Sequence, residues 1–362
     1  MAIDLCRRRF LSAALACTAA PVVLAHAHRQ IDRMRMLGAW HTDGNDYAGV
    51  WGSALGAHGV ELPFRAHQVL LDPHLPHHAL AIARRPGEFI ARLDLKSACI
   101  LDLRAIDPEF VTNGHALSDP AARTLLVAQS DSSTGAGVLG AYDIDSLELR
   151  ERLSTFGIGP HALLRDFDGT MLVANGGVLT LAQSGRTVLN VGSIDSSLVR
   201  LDAQGALLGR WKLEDPNLSI RHLARAQNGI IGVALQAEHA DPADRERAPV
   251  FALFDGRALR IAEAQQTPLS GYAGDVACIE TATGPRFAVG CPRAGTVAIW
   301  DGGGSARGLY PLRGACAVAP AGAALIAASE HGELGLLAIS DDVWTVSGGV
   351  PSWDNHLSIF AS

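Results

Sequence analysis

One motif recurs along this chain and leaves few folds open to it. Residues 157–177, GIGPHALLRDFDGTMLVANGG, read as an apolar strand opened by His161, an Asp-Gly turn, and a second apolar strand ending in Asn175-Gly176-Gly177. Looser copies follow throughout. An apolar run ending in small residues appears as RMLGAW (35–40), HALAIA (78–83), TLLVAQ (124–129), MLVANG (171–176), IIGVAL (230–235), RFAVGC (286–291) and ALIAAS (324–329). A second run follows each and mostly closes on Asp, at Asp94, Asp143, Asp202, Asp255 and Asp301. A third precedes most of them, beginning at His67, His115, His161, His222, Asp275 and Ala315.

The first run starts anew every 38 to 59 residues, a period that suits one four-stranded propeller blade per repeat. A single meander cannot bury both of its faces, so stacking into a ring is the favoured solution. Amphipathic helix-length segments between the runs are absent, which disfavours βαβ units. The expected fold is therefore all-β: a seven-bladed β-propeller. Its opening copy at 35–40 has no His-led run before it, whereas WDNHLSIFAS (353–362) has that pattern. The C-terminal segment around His356 is thus expected to become the innermost strand of the first blade and close the ring.

Residues 1–27 read as a signal rather than as part of the fold. Arg7-Arg8-Arg9-Phe10-Leu11 is a twin-arginine start, an apolar run follows to Leu24, and Ala25-His26-Ala27 has the small-x-small cleavage pattern. The run is too short to span a bilayer. Twin-arginine export with cleavage near His28 makes the expected location the periplasm, with residues 28–362 as one propeller domain and no transmembrane segment in the mature chain. That mature chain carries 27 basic and 36 acidic residues, a formal charge of −9. An acidic chain argues against a nucleic-acid partner, which calls for clustered Lys and Arg. Cys99, Cys278, Cys291 and Cys316 match no zinc spacing; a Cys278–Cys291 bridge is conceivable, but small buried apolar groups are the preferred reading.

The candidate site comes from the repeats. Strands one and two of a blade are antiparallel, so the start of the first and the end of the second share a face. His67, His115, His161, His222 and His356 gather there, with Asp275 at the same place in the sixth blade and Ala315 in the seventh. So do the two longest connections, at 178–196 and 236–249. Neutral imidazoles with a carboxylate suit iron, zinc or copper. A metal site would draw on two or three of the histidines with Asp275 as a carboxylate ligand; all five are not expected on one ion, because rings on opposite sides of a channel would not all reach it. The competing reading is structural: in tryptophan–aspartate propeller repeats a His before the first strand hydrogen-bonds within its own blade.

Four further residues are candidates for ligand binding. Arg221 can hold a carboxylate or phosphate bidentately, and Asn175, Asp354 and Asn355 can present polar groups to a ligand, although ion pairing and turn chemistry explain them equally well. His74, His77 and His78 fall in a turn on the other face. Residues 135–140 match GxGxxG, but they lead into a strand, with no helix to receive a pyrophosphate.

The motifs GIGPH (157–161), VANGG (173–177), SIRHL (219–223) and WDNH (353–356) together resemble the exported bacterial family called domain of unknown function 1513. That resemblance covers nearly the whole mature chain and implies a twin-arginine-exported propeller. It also implies a link to periplasmic iron handling, because the family's genes lie beside those for imelysin-like iron-regulated proteins and dihaem-cytochrome-like oxidoreductases. The chain departs from the pattern at Ala315 and in the charged 236–249 connection. The expected function is a monomeric periplasmic binding or accessory protein in iron or other metal acquisition, its partners iron-uptake or cytochrome-like proteins. The alternatives are a propeller enzyme (a lactonase-like metal hydrolase or a dehydrogenase) and a protein–protein scaffold.

Overall fold

The apolar runs that end in small residues are strands buried on both faces. His78–Ala83, Met171–Asn175 and Ala324–Ser329 are covered along nearly their whole lengths, so their sequences carry no in–out alternation. Outer strands behave differently: Cys99–Ala105 alternates exposed and half-buried residues as one side faces water. The computed structural model describes residues 34–181, 187–339 and 342–361; the twin-arginine segment lies outside them. These residues form seven antiparallel four-stranded sheets, six of them built from four consecutive strands.

The first sheet is the exception and joins the two ends of the fold. Ser352–Ala361 is its inner strand, pairing antiparallel with Met34–Thr42 from Met34↔Ala361 to His41↔Ser352. Trp353 and Trp40 meet edge to face across this join, with centroids 5.8 Å apart. Seven apolar clusters lie one at each blade–blade interface. The cluster of Met36, Trp40, Trp51, Ile326, Leu334 and Trp353 joins blade seven back to blade one. The core is thus a ring of interfaces, and the seven-bladed closed propeller expected from the repeats is the fold.

The recurrent Asp that closes five of the third strands has a local job. Asp143 Oδ1 accepts from the amides of Asp145 and Ser146, both at 2.9 Å, and Asp202 Oδ1 from those of Gln204 and Ala206. Asp94, Asp255 and Asp301 do the same in their hairpins, so this repeat encodes side-chain-capped turns. Between blades two and three, buried Arg92 pairs with Asp72 and reaches the Ile144 carbonyl.

The connections at 178–196 and 236–249 both join second to third strands, in blades four and five. The latter contains a short helix, Pro242–Arg247, capped by Asp241. Gly135 holds a turn at φ +74° before the strand Ala136–Asp143, a hairpin geometry with no phosphate cradle. Cys99, Cys278, Cys291 and Cys316 are free, and Cys278 faces Phe287 in the ladder rather than Cys291. Among the described residues no helix is long and apolar enough to cross a membrane.

Candidate metal centre

Each histidine of the repeat sits in a β-bulge of its inner strand. In blade two Ala66 pairs with Ala83 and Gln68 with Ile82, which leaves His67 as the extra residue. Register shifts of one extra residue also bracket His161 (Pro160 to Leu163) and His222 (Ile220 to Leu223), and shifts of two bracket His115 (Thr112 to Ala116) and His356 (Trp353 to Leu357). A bulge leaves a residue out of the ladder and re-aims its side chain. Here it turns the imidazoles out of the blade plane and into the axis. Blade six has no such shift, and Asp275 lies in register opposite Gly290. In blade seven the bulged residue is Cys316, one place beyond the Ala315 expected from the motif; its thiol donates to the Ala328 carbonyl at 3.4 Å.

The five rings pack against one another at the centre of the disc. His115 is the hub, with centroids 4.8 Å from His67, 4.2 Å from His161, 5.2 Å from His222 and 4.8 Å from His356. His222 closes on His161 at 4.7 Å and on His356 at 4.5 Å. The rings pack more closely than a wide channel would allow, yet their ligating atoms gather in threes and not as one shell of five. The bulges narrow the axis until all five rings share one cluster. Donor atoms of His67, His115 and His161 lie within 4.8 Å of one another, and so do those of His115, His222 and His356.

Burial here leaves several ring nitrogens without partners among the described residues. His67 and His115 are 4% exposed and His222 2%. Both ring nitrogens of His67 and His222, and Nε2 of His115 and His356, are buried without a hydrogen-bond partner among the described residues. The within-blade bond of the structural alternative is thus not made by His67 or His222. Burial pushes His67 down to about 3. It also drives His115, His161 and His222 well below the usual imidazole range, helped by neighbouring imidazoles and by Arg221. Neutral rings with free lone pairs are the form that ligates transition metals. Donors around an ion bonded at about 2.1 Å stand at most about 4.2 Å apart, so these rings would have to move slightly inward to hold one.

Asp275 stands behind this cluster rather than among the gathered nitrogens. Its Oδ1 accepts from His356 Nδ1 at 2.9 Å and from the Val276 amide, and its Oδ2 accepts from the Val318 amide at 3.1 Å. The carboxylate fixes Nδ1 of His356 as the donor and turns Nε2 towards the other rings. Asp354 is held by Arg65 Nε at 2.5 Å and Arg84 at 3.1 Å, with His67 Nδ1 at 3.9 Å. Burial works to raise its pKa, but the His67 contact and the guanidiniums of Arg84 and Arg65 hold it well below the carboxylate range.

Arg221 is 3% exposed, pairs with Glu238 at 3.1 Å, and keeps Nε without a partner among the described residues. Asn355 donates to the Gly274 carbonyl. Asn175 is fully buried and donates to the Thr155 carbonyl at 2.8 Å.

The rings plug the axis between two spaces. On the face of His67 and His161 lies a cavity of about 40 Å³ lined by Arg84, Arg85, Asn113, Arg221, Gln236, Tyr272 and Asn355. On the other side, beside His356 and Asp275, opens a channel of about 450 Å³. Arg84, Arg85, Asn113, Gln236 and Tyr272 were not among the sequence candidates. The rule that places the histidines also finds three of them, because Arg84 and Gln236 close second strands and Asn113 stands just before His115.

A model of the family described as "Protein of unknown function (DUF1513)" matches residues 60–360. No curated protein matches. Among solved structures the chain is similar to Kuenenia stuttgartiensis hydrazine synthase, at 16% identity and a TM-score of 0.58, over 85% of this chain and 93% of that one. At that identity the likeness concerns the propeller fold alone.

Proposed function

This chain belongs to the DUF1513 family, and within it we propose a transition-metal-binding propeller, exported to the periplasm, that serves as an accessory protein in iron or other metal acquisition. One observation carries the metal reading: five imidazoles from five blades, buried or half-buried, meet with six buried ring nitrogens lacking a hydrogen-bond partner among the described residues. Leaving such groups unpaired costs about 1–3 kcal/mol each, and a metal ion recovers that cost by taking the lone pairs. Donors that are all imidazole nitrogens favour Fe(II), Cu(II) or Zn(II) over Mg(II) and Ca(II). His115 belongs to both groups of three and is the residue no ion position avoids.

The test is metal analysis of the purified folded protein after incubation with Fe(II), Cu(II), Zn(II) or Ca(II). One ion of the first three per chain is expected, with the affinity lowered at least a hundredfold in His115→Ala. Folded protein that retains none of them after gel filtration sinks the metal reading. The acquisition role is checked separately, by metal-limited growth of a strain lacking the gene.

A further inference from the structure

The geometry points to a second ligand beside the metal. We propose that the small cavity above the histidines binds an oxyanion of three or four heavy atoms, of the carbonate, formate or nitrite class, which completes the charge and coordination of the ion below it. This rests on the metal reading for its role, but the cavity's own chemistry argues for the anion independently.

The first argument is the lining. Three guanidiniums, those of Arg84, Arg85 and Arg221, border a space whose floor is His67 and His161. Arg84 is already engaged with Asp354. Arg221 is different: it is almost fully buried, one terminal nitrogen reaches Glu238, and its Nε is left over. A buried guanidinium with an unused donor is costly unless something accepts from it. Asn113, 2% exposed, likewise keeps Oδ1 without a partner among the described residues while Nδ2 donates to Ser130. Oxyanions accept in one plane, which matches the planar fork of Arg. A monoprotonated one also supplies the hydrogen that Asn113 Oδ1 can accept.

The second argument is space. A water needs about 10–15 Å³ measured this way, so about 40 Å³ holds roughly three waters or one small planar anion. Gly176 leaves Arg221 its place at the cavity wall: a Cβ there would stand 3.2 Å from the guanidinium and 3.0 Å from Ser219 Oγ.

The third argument is charge. Every gathered donor is an imidazole nitrogen, so a divalent ion would bring two buried positive charges beside Arg221 with no carboxylate among those donors. Asp275 lies behind His356, and Asp354 is already paired with arginines. An anion in the cavity is what offsets them.

Two measurements separate this proposal from the metal reading. Metal content is taken by elemental analysis, and formate, bicarbonate and nitrite are titrated by calorimetry into metal-free and Co(II)-treated protein, following the visible Co(II) bands as well. At least one anion should saturate at one per chain in the Co(II) protein and shift those bands. Arg221→Gln should weaken it at least tenfold and Arg85→Gln severalfold, with metal stoichiometry unchanged. Arg85→Gln covers the case in which the buried Arg221 variant does not fold. Metal bound at one per chain with no anion binding at 10 mM overturns this proposal and leaves the metal reading standing. Arginine-dependent anion binding without metal retention does the reverse for the pocket and the ion. Anion binding that neither substitution alters also overturns it.

Discussion

His356 donates through Nδ1 to Asp275 Oδ1 at 2.9 Å, tying the closing strand of blade one to the first residue of blade six's inner strand. The contact joins ring closure to site assembly, because the same strand carries Asp354 and Trp353. A carboxylate behind a ligating imidazole fixes its tautomer and orientation, and removing it costs about 10–100-fold in metal affinity. Asp275→Asn should therefore lower affinity within that range in chelator competition, with stoichiometry kept. An unchanged affinity would mean that His356 is not a ligand.

Gly114 carries a second prediction. It sits in the His115 bulge at φ +95°, and a Cβ there would lie 2.6 Å from His67 Cδ2. Left-handed backbone and overpacking act together, so Gly114→Ala should cost about 2–4 kcal/mol. Gly44, at φ +85° with open space around it, provides the control: Gly44→Ala bears only the backbone strain, about 1 kcal/mol. Urea unfolding of both variants checks this, and equal losses would show that His67 gives way freely.

Much of this architecture was legible in the sequence because it repeats. Continuous apolar runs mark strands covered on both sides, and Asp-terminated runs mark capped hairpins, so the seven blades and the closing strand around His356 could be placed in advance. The gathering of all five rings could not. Pattern places the histidines on one face, but whether they line a wide channel or touch depends on the bulges, and a register shift of one or two residues leaves little trace in composition. Ala315 shows the same limit, since the bulged position of blade seven is Cys316. Asp275 was expected among the ligands because it replaces a His in the motif. In blade six, however, the strand runs without a bulge and the carboxylate remains against the backbone amides of Val276 and Val318.

The buried imidazoles also make the metal-free protein acid-sensitive. His67, held at about 3, and His115, His161 and His222, lowered by burial and then by neighbouring imidazoles and Arg221, stay neutral in the folded chain. The unfolded chain takes up the same protons near pH 6.5. Below that value the unfolded state binds more protons, so stability present above pH 6.5 is lost as pH falls. Each group removes up to about 1.4 kcal/mol per pH unit, and the four together exhaust a stability of about 5–15 kcal/mol within roughly one to three units. The urea midpoint of the metal-free protein should fall steeply from pH 7 to pH 5. His222→Phe, if folded, should flatten the slope. A midpoint constant across that window would show that these rings are charged or wetted.

The same depressed affinity for protons separates this centre from an ordinary surface histidine site in how it holds a metal. Three imidazoles of ordinary pKa, each about nine-tenths protonated at pH 5.5, would surrender roughly a thousandfold in affinity between pH 7.5 and 5.5, because every proton must leave before the metal binds. Here burial has already removed those protons from His67, His115, His161 and His222, so no such competition arises in that range. Bound metal in turn favours the folded chain, by about 4 kcal/mol at a thousandfold excess over Kd, and so offsets the acid sensitivity of the empty site. Competition against a chelator corrected for its own protonation should show affinity changing less than tenfold from pH 7.5 to 5.5. A fall of a hundredfold or more would place the metal on exposed histidines such as His41 or His58 instead.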